Sequence, residues 1–234
     1  MPQGIPYRHL FFDLDHTLWD FDRNSELTLR QLYDVYGLEA RGISDFGEFC
    51  RIYNAHNERL WERFRSGYMR REDLRWKRVW YTLLDFRIAD TALAHELSAA
   101  YLEILPTQSE LMPHARELLN HCSGRYTMHL ITNGFETTQW QKLQYSGIAH
   151  YFSEVITSER SNALKPHREI FDYALKATGA QTEESIMIGD ALDIDVLGAY
   201  NAGWDQVFFN PKKIAHKRKP TYEVHGLDML LEIF

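Results

Sequence analysis

The sequence predicts an α/β fold, a doubly wound parallel sheet interrupted by one long helical insert. Five short apolar runs rich in β-branched or aromatic residues recur along the chain, and four of them lead into a polar or acidic residue. Segments of helical length separate the last four runs, and strands that alternate with helices imply parallel pairing. Between the first run and the second, residues 18–108 read as helix throughout.

The first strand is expected in "YRHLFFD" (7–13), the second in "YTMHLITN" (126–133), the third in "SEVITSE" (153–159) and the fourth in "ESIMIGD" (184–190). The fifth lies in "WDQVFFN", from residue 204 to about 209. "ETTQWQKLQYSG", "HREIFDYALKATG" and "DIDVLGAYNAG" supply the connecting helices, and the first two end at glycine, a frequent helix stop. In the insert, Phe46, Phe49, Tyr53, Leu60 and Phe64 recur at spacings of three, four or seven, an apolar stripe on one helix face. "ELTLRQLYDVYGL", "REDLRWKRVWYTLLDF" and "DTALAHELSAAYLEIL" behave alike, and the turns "YGLEARGISD" and "RSGYMR" separate them. Four helices make a bundle of their own. The expected organisation is a sheet domain of residues 1–17 and 109–234 with a helical domain of residues 18–108.

Composition narrows the function classes. The chain has 234 residues, 44% hydrophobic and 14% aromatic, and disorder would need the opposite balance. A formal net charge of −7 argues against nucleic-acid or anionic-membrane binding, which needs a basic surface, and favours a small-molecule partner. Cys50 and Cys122 lack zinc-ligand spacing and read as reduced, small hydrophobes. "MPQGIPYRHLFFDLD" has no basic n-region and its apolar run stops at Asp13, so no secretory leader is expected. No stretch approaches the roughly 18 apolar residues of a membrane span, and a soluble, cytoplasmic chain follows. The basic run "KKIAHKRK" (212–219) reads as a solvated connection before the last helix.

The strand ends converge on one set of polar residues. Asp13 and Asp15 follow the first strand; Thr132, Asn133 and Gly134 follow the second; Lys165 comes shortly after the third; Asp190 and Asp195 follow the fourth. Like charges about 4–6 Å apart repel by roughly 3–4 kcal/mol at the dielectric suited to protein surfaces. A hard cation such as Mg²⁺, usually held by one or two carboxylates plus substrate phosphate, would offset that repulsion. A carboxylate beside it is a competent nucleophile, and a second one can serve as acid toward a leaving alcohol and then as base toward water. The Thr132 hydroxyl and the Asn133 and Gly134 amides suit phosphate oxygens. Lys165 precedes Pro166, which suits the first turn of a helix, so an ammonium is expected at a strand-to-helix junction.

Four motifs in this order, "DLDHTL", the threonine of "LITNG", Lys165 and "GDALDID", resemble those of the haloacid dehalogenase-like hydrolases across essentially the whole chain. The resemblance implies a Rossmann-like core with an inserted all-helical cap of the C1 type. By it, Asp13 is the nucleophile, Asp15 the acid/base, and Lys165 the third catalytic group. It also implies Mg²⁺ held by Asp13, the backbone carbonyl of Asp15, Asp190, and Asp195 acting through water, with Mn²⁺ or Co²⁺ as candidate replacements. Asp193 is then an extra acid at a helix start. Dehalogenases of this superfamily typically lack an acid two residues after the nucleophile, so Asp15 selects phosphoryl transfer.

"FFDLDHTLWDFDRNS", "GYMRREDLRWKRVW" and "ITSERSNALKPHREIF" look most like the noncanonical pyrimidine 5′-nucleotidases, which act on UMP, dUMP and dTMP. Phosphoglycolate phosphatases, sugar-phosphate phosphatases and phosphomutases share the frame, and a phospho-accepting signalling domain is the reading from another class. Trp19 and Phe21 are candidates to stack a base, or else to plug the hinge between the domains. His16 is a candidate to reach the leaving group, or a loop residue oriented by its neighbours. Arg75 and Arg78 are candidates to meet substrate from the cap, or lie on a solvated helix face. A monomer and a homodimer are both compatible with the sequence.

Overall fold

Residues 7–234 are described in the computed structural model; the first six positions, on which part of the leader reading rests, lie outside them. Strands β1 (His9–Phe12), β2 (Thr127–Thr132), β3 (Phe152–Thr157), β4 (Ser185–Gly189), β5 (Asp205–Phe209) and β6 (Tyr222–Val224) form one sheet. Their order is β3-β2-β1-β4-β5-β6, and every neighbouring pair is parallel. The first five coincide with the expected apolar runs, β3 starting one residue earlier, at Phe152. β6 was not expected, and it separates the basic run from the final helical turn at Leu227–Glu232.

Leu10, Phe11 and Phe12 of β1 and Ile186, Met187 and Ile188 of β4 are fully buried, as strands covered on both faces must be. The chain leaves β1 toward β2 and β3, then returns to the other side of β1 for β4. That reversal makes the carboxyl ends of β1 and β4 the crevice where ligands bind in such sheets.

Helices α5 (Ala115–Cys122), α6 (Glu136–Tyr145), α7 (Ser158–Ser161), α8 (Arg168–Thr178) and α9 (Leu197–Ala202) connect these strands. Pro166 does not sit in the first turn of a helix. The His167 amide donates to the Leu164 carbonyl at 2.8 Å, closing a tight turn around Lys165 and Pro166, and α8 starts only at Arg168. "DIDVLGAYNAG" is helical as expected, opening with a wider π turn at Leu192–Val196 that runs directly into α9.

The chain divides into two compact units, one running up to Phe21 and resuming over Ser109–Phe234, the other Asp22–Gln108. Residues 18–21 therefore go with the sheet, not with the helices as expected. Tertiary bonds put them there: the Leu18 carbonyl accepts from the Met112 amide at 2.9 Å, and the Asp20 amide donates to the Glu110 carbonyl at 3.1 Å. Leu18 and Trp19 are fully buried.

In the second unit, α1 (Phe21–Val35) begins at the boundary and is followed by α2 (Phe46–Arg65), α3 (Arg71–Asp85) and α4 (Thr91–Ile104). Asp45 caps α2 by accepting from the Gly47 and Glu48 amides, and Asp90 caps α4 through the Leu93 amide. Phe49, Tyr53 and Leu60 carry the buried face of α2, whereas Phe46 and Phe64 at the ends of the expected stripe are only half-buried. A hydrogen bond of 2.9 Å between the Ser25 and Tyr101 hydroxyls ties α1 to α4. Cys50 and Cys122 are free thiols, and burial pushes both up to about 11. No helix among the described residues is long and apolar enough to cross a membrane.

Candidate active site

After β1 the backbone coils tightly over residues 14–19: the Leu14 carbonyl accepts from the Thr17, Leu18 and Trp19 amides. His16 takes a left-handed φ of 64°, uncommon for a residue with a side chain. This coil sets Asp13 at the strand end with Asp15 beside it.

Lys165, 1% exposed, organises the centre. Its ammonium donates to Asp13 Oδ1 and to the Ile131 carbonyl, each at 2.6 Å, and forms an ion pair of 2.7 Å with Asp195 Oδ1. Asn133 holds the Lys165 backbone from both sides, its Nδ2 donating to the carbonyl at 2.9 Å and its Oδ1 accepting from the amide at 2.7 Å. Burial works against the ammonium, but the Asp13 and Asp195 carboxylates outweigh it and hold it above the ordinary lysine value. Burial also pushes the Asp13 carboxyl up to about 7, against the pull of Lys165 and with the push of Asp195.

Asp190 is fixed by Thr17, whose hydroxyl donates to Asp190 Oδ1 and accepts from the Asp190 amide, both at 3.1 Å. Burial, then the Asp195 and Asp13 charges, lift its carboxyl well above the usual range. Asp195 Oδ2 accepts from the Ala191 amide at 3.0 Å. A Cβ on Gly189 would lie 2.3 Å from that oxygen, so only glycine lets Asp195 approach. Gly189→Ala is expected to cost about 1–3 kcal/mol by overpacking, read as a lower urea midpoint with an unchanged m-value.

One oxygen from each of Asp13, Asp190 and Asp195 lies within 4.8 Å of the others. Three carboxylates against one ammonium leave the cluster short of positive charge, and hard oxygen donors at this spacing fit a divalent cation. Asp193 stays outside the cluster and pairs with Arg218 at 3.1 Å. The basic run is thereby partly neutralised.

Asp15 is held separately. Lys142 of α6 donates to its Oδ1 at 2.6 Å, and Gln139 Nε2 donates to its Oδ2 at 3.0 Å. The same Gln139 nitrogen reaches Thr132 Oγ1 at 2.7 Å. That hydroxyl oxygen also accepts from the Gly134 amide at 3.1 Å, so this amide is engaged rather than facing an open phosphate position as expected.

Sequence reasoning did not single out Thr17 as the support of Asp190, nor Gln139 and Lys142. The usable signal for the last two is their i, i+3 spacing in the helix after "TNG".

The remaining expected residues divide. Trp19 is 0% exposed, with the Lys142 ammonium 4.4 Å from its ring centre, and has no face left for a base. Phe21 is half-buried against His16, ring centres 4.9 Å apart. Arg78 is not on a solvated helix face. Only 5% exposed, it donates to Asn57 Oδ1 at 3.0 Å and lies 4.9 Å from the Tyr101 ring, inside the helical unit. Arg75, in the same unit, is half-buried.

Residues 7–203 match the family model for haloacid dehalogenase-like hydrolases. The chain belongs to this family. Among similar proteins, pyrimidine 5′-nucleotidase PynA of Streptococcus pneumoniae is 30% identical over 97% of this chain and 94% of its own. Glyceraldehyde 3-phosphate phosphatase of Pyrococcus abyssi is also 30% identical, over 86% of this chain and 80% of its own. The magnesium-bound crystal structure of the HAD-hydrolase YfnB of Bacillus subtilis superimposes with a TM-score of 0.86 at 30% identity, covering 98% of this chain and 99% of that one.

Proposed function

We propose that this hydrolase is a cytoplasmic, Mg²⁺-dependent phosphatase of small phosphate monoesters, acting through an aspartyl phosphate on Asp13, with pyrimidine nucleoside monophosphates as substrates. One observation carries the reading: two carboxylates two residues apart, each held by its own buried lysine, Asp13 by Lys165 and Asp15 by Lys142. Separate partners suit separate roles.

In the first step an Asp13 oxygen attacks phosphorus. The bond from phosphorus to the leaving oxygen breaks, and that oxygen keeps the electron pair and takes a proton from Asp15. In the second step water attacks the phosphoryl group on Asp13 while Asp15 accepts the water proton; the bond from phosphorus to the Asp13 oxygen breaks, that oxygen keeps the electron pair, and orthophosphate departs. Lys165 stays fixed between Asp13 and Asp195, where its charge offsets that of the transferring group. The Thr132 hydroxyl, whose oxygen accepts two hydrogen bonds, keeps its own proton to donate toward a phosphoryl oxygen.

Asp13 and Asp190, with Asp195 and the Asp15 carbonyl, would hold the cation. When bound it supplies charge neutralisation between these carboxylates and the phosphoryl oxygens. Mn²⁺ and Co²⁺ share its preference for such donors closely enough to be tested as replacements.

The nucleotide reading is supported by PynA, whose match reaches nearly the whole chain and so takes in the helical unit. The glyceraldehyde 3-phosphate phosphatase, at the same identity over less of the chain, favours a second reading, a short sugar or acid phosphate. Phosphate release with Mg²⁺ across UMP, dUMP, dTMP, purine nucleotides, glyceraldehyde 3-phosphate, phosphoglycolate and hexose phosphates decides between them. The expected result is a kcat/KM for pyrimidine monophosphates about a hundredfold above the rest, roughly 2.7 kcal/mol of transition-state discrimination. A flat panel, or a lead by a non-nucleotide, overturns the substrate class and leaves the catalytic scheme standing.

A further inference from the structure

We propose that Gln139 and Lys142 are positioning residues: from one face of α6 they clamp both carboxylate oxygens of Asp15 and hold them oriented for proton exchange. The proposal rests on the reading of Asp15 as the acid/base under Proposed function.

Lys142 is 3% exposed and Gln139 fully buried. An ammonium is rarely buried unless it is paired, and this one is paired with the Asp15 carboxylate at 2.6 Å. Its charge also lies 4.4 Å from the Trp19 ring centre and 5.5 Å from that of Phe21, so two aromatic faces hold it in place. Gln139 adds a second constraint, because its one amide nitrogen bridges Asp15 Oδ2 and Thr132 Oγ1. The acid/base and the phosphate-facing hydroxyl are thereby set at a fixed distance. The turn before α6 is shaped to admit this side chain: a Cβ on Gly134 would lie 2.4 Å from Gln139.

The clamp acts on both steps. As the leaving oxygen departs with its electron pair and takes the Asp15 proton, Lys142 and Gln139 receive the carboxylate that remains. Held in the same orientation, that carboxylate accepts the proton of the water that then attacks the phosphoryl group. A salt bridge that only fastened α6 to the loop after β1 would influence every substrate equally. A positioning clamp does not. An alkyl leaving group needs the proton, whereas p-nitrophenolate leaves without it.

The test measures kcat/KM on the full chain with Mg²⁺ for UMP, or the best alkyl monoester of the panel, and for p-nitrophenyl phosphate. The enzymes are wild type, Lys142→Met, Lys142→Arg, Gln139→Met and Asp15→Asn. Lys142→Met is expected to lower kcat/KM for the alkyl ester by about a hundredfold. The alkyl-to-aryl ratio should drop by about twentyfold or more, with most of the loss in kcat, and Lys142→Arg should recover at least about a tenth of the wild-type ratio.

Equal losses on the two esters overturn the clamp, as does Lys142→Met activity within about threefold of wild type. Should Lys142→Met lose its melting transition, Gln139→Met carries the test, with an expected drop in the ratio of about fivefold and an unchanged ratio overturning the proposal. If Asp15→Asn shows the leaving-group signature and the α6 variants do not, the clamp fails alone. If the wild type hydrolyses neither ester, the acid/base reading fails and takes the clamp with it.

Discussion

Asp13→Asn is expected to abolish turnover, with kcat lowered by about 10⁴-fold or more while substrate binding survives. The substitution keeps the shape of the side chain and removes the carboxylate proposed to attack phosphorus. Lys165 remains anchored by the Ile131 carbonyl and by Asp195 after Asp13 loses its charge, so the centre should keep its geometry. Because the scheme is covalent, the loss belongs to the chemical step and cannot be recovered by raising substrate. Rapid acid quench with radiolabelled substrate checks the step directly. The wild type should yield protein-bound phosphate that hydroxylamine releases, and the variant none. Activity within about tenfold of the wild type would overturn the aspartyl-phosphate scheme, since water attacking directly would not require this oxygen.

The centre was legible because its parts announce themselves in one dimension. Asp13, Thr132 and Asp190 each stand at the end of a short apolar run bounded by polar residues, the pattern of a buried strand, and parallel pairing then brings the run ends together. What surrounds them was not legible, because it depends on side-chain direction. The pattern "TNG" points to the Asn133 backbone amide, yet it is the Asn133 side chain that fixes the Lys165 backbone. Lys142 sits in a helix whose other polar residues are ordinary surface types, and a lysine there is expected in solvent until the fold turns it onto Asp15.

Trp19 lies close in sequence to Asp13 and Asp15, but burial is a property of three dimensions. The pairing of Leu18 with Met112 that buries this segment joins residues far apart in the chain, and the same pairing moved the unit boundary from residue 17 to Phe21. Arg78 shows the converse: an arginine at a helical position reads as solvated, and neutral partners on α2 and α4 take it inside. β6 escaped because three residues, one of them buried, carry too little periodicity, and β5 alone defines it as a strand.

Removing divalent cations should silence the enzyme completely and reversibly, and the charge balance of the centre says why. Asp13, Asp190 and Asp195 crowd within 4.8 Å, and Lys165 supplies one positive charge among them. Without further positive charge the cluster relieves itself by holding protons, which is the direction of the burial-driven rise of Asp13 to about 7 and of Asp190. Protonation withdraws part of the Asp13 carboxylate near neutral pH, and loss of the positive charge that offsets the phosphoryl oxygens removes the rest of the rate. With a cation held there, Asp13 and Asp190 would carry their charge without those protons. The same linkage has a sign in stability. From the ordinary carboxylate range near pH 4 up to about 7, the folded, cation-free chain binds more protons than the unfolded one, so its stability falls as pH rises through that window. Mg²⁺ should therefore raise the thermal midpoint more at pH 8 than at pH 5. At a hundred times its Kd, the cation contributes about 2.7 kcal/mol, or roughly 5–10 °C for a chain of this length. Asp190→Asn should shrink that shift. Activity above about a tenth of the starting rate in excess EDTA would refute the cation assignment, and a midpoint shift equal at both pH values would refute its link to these protons.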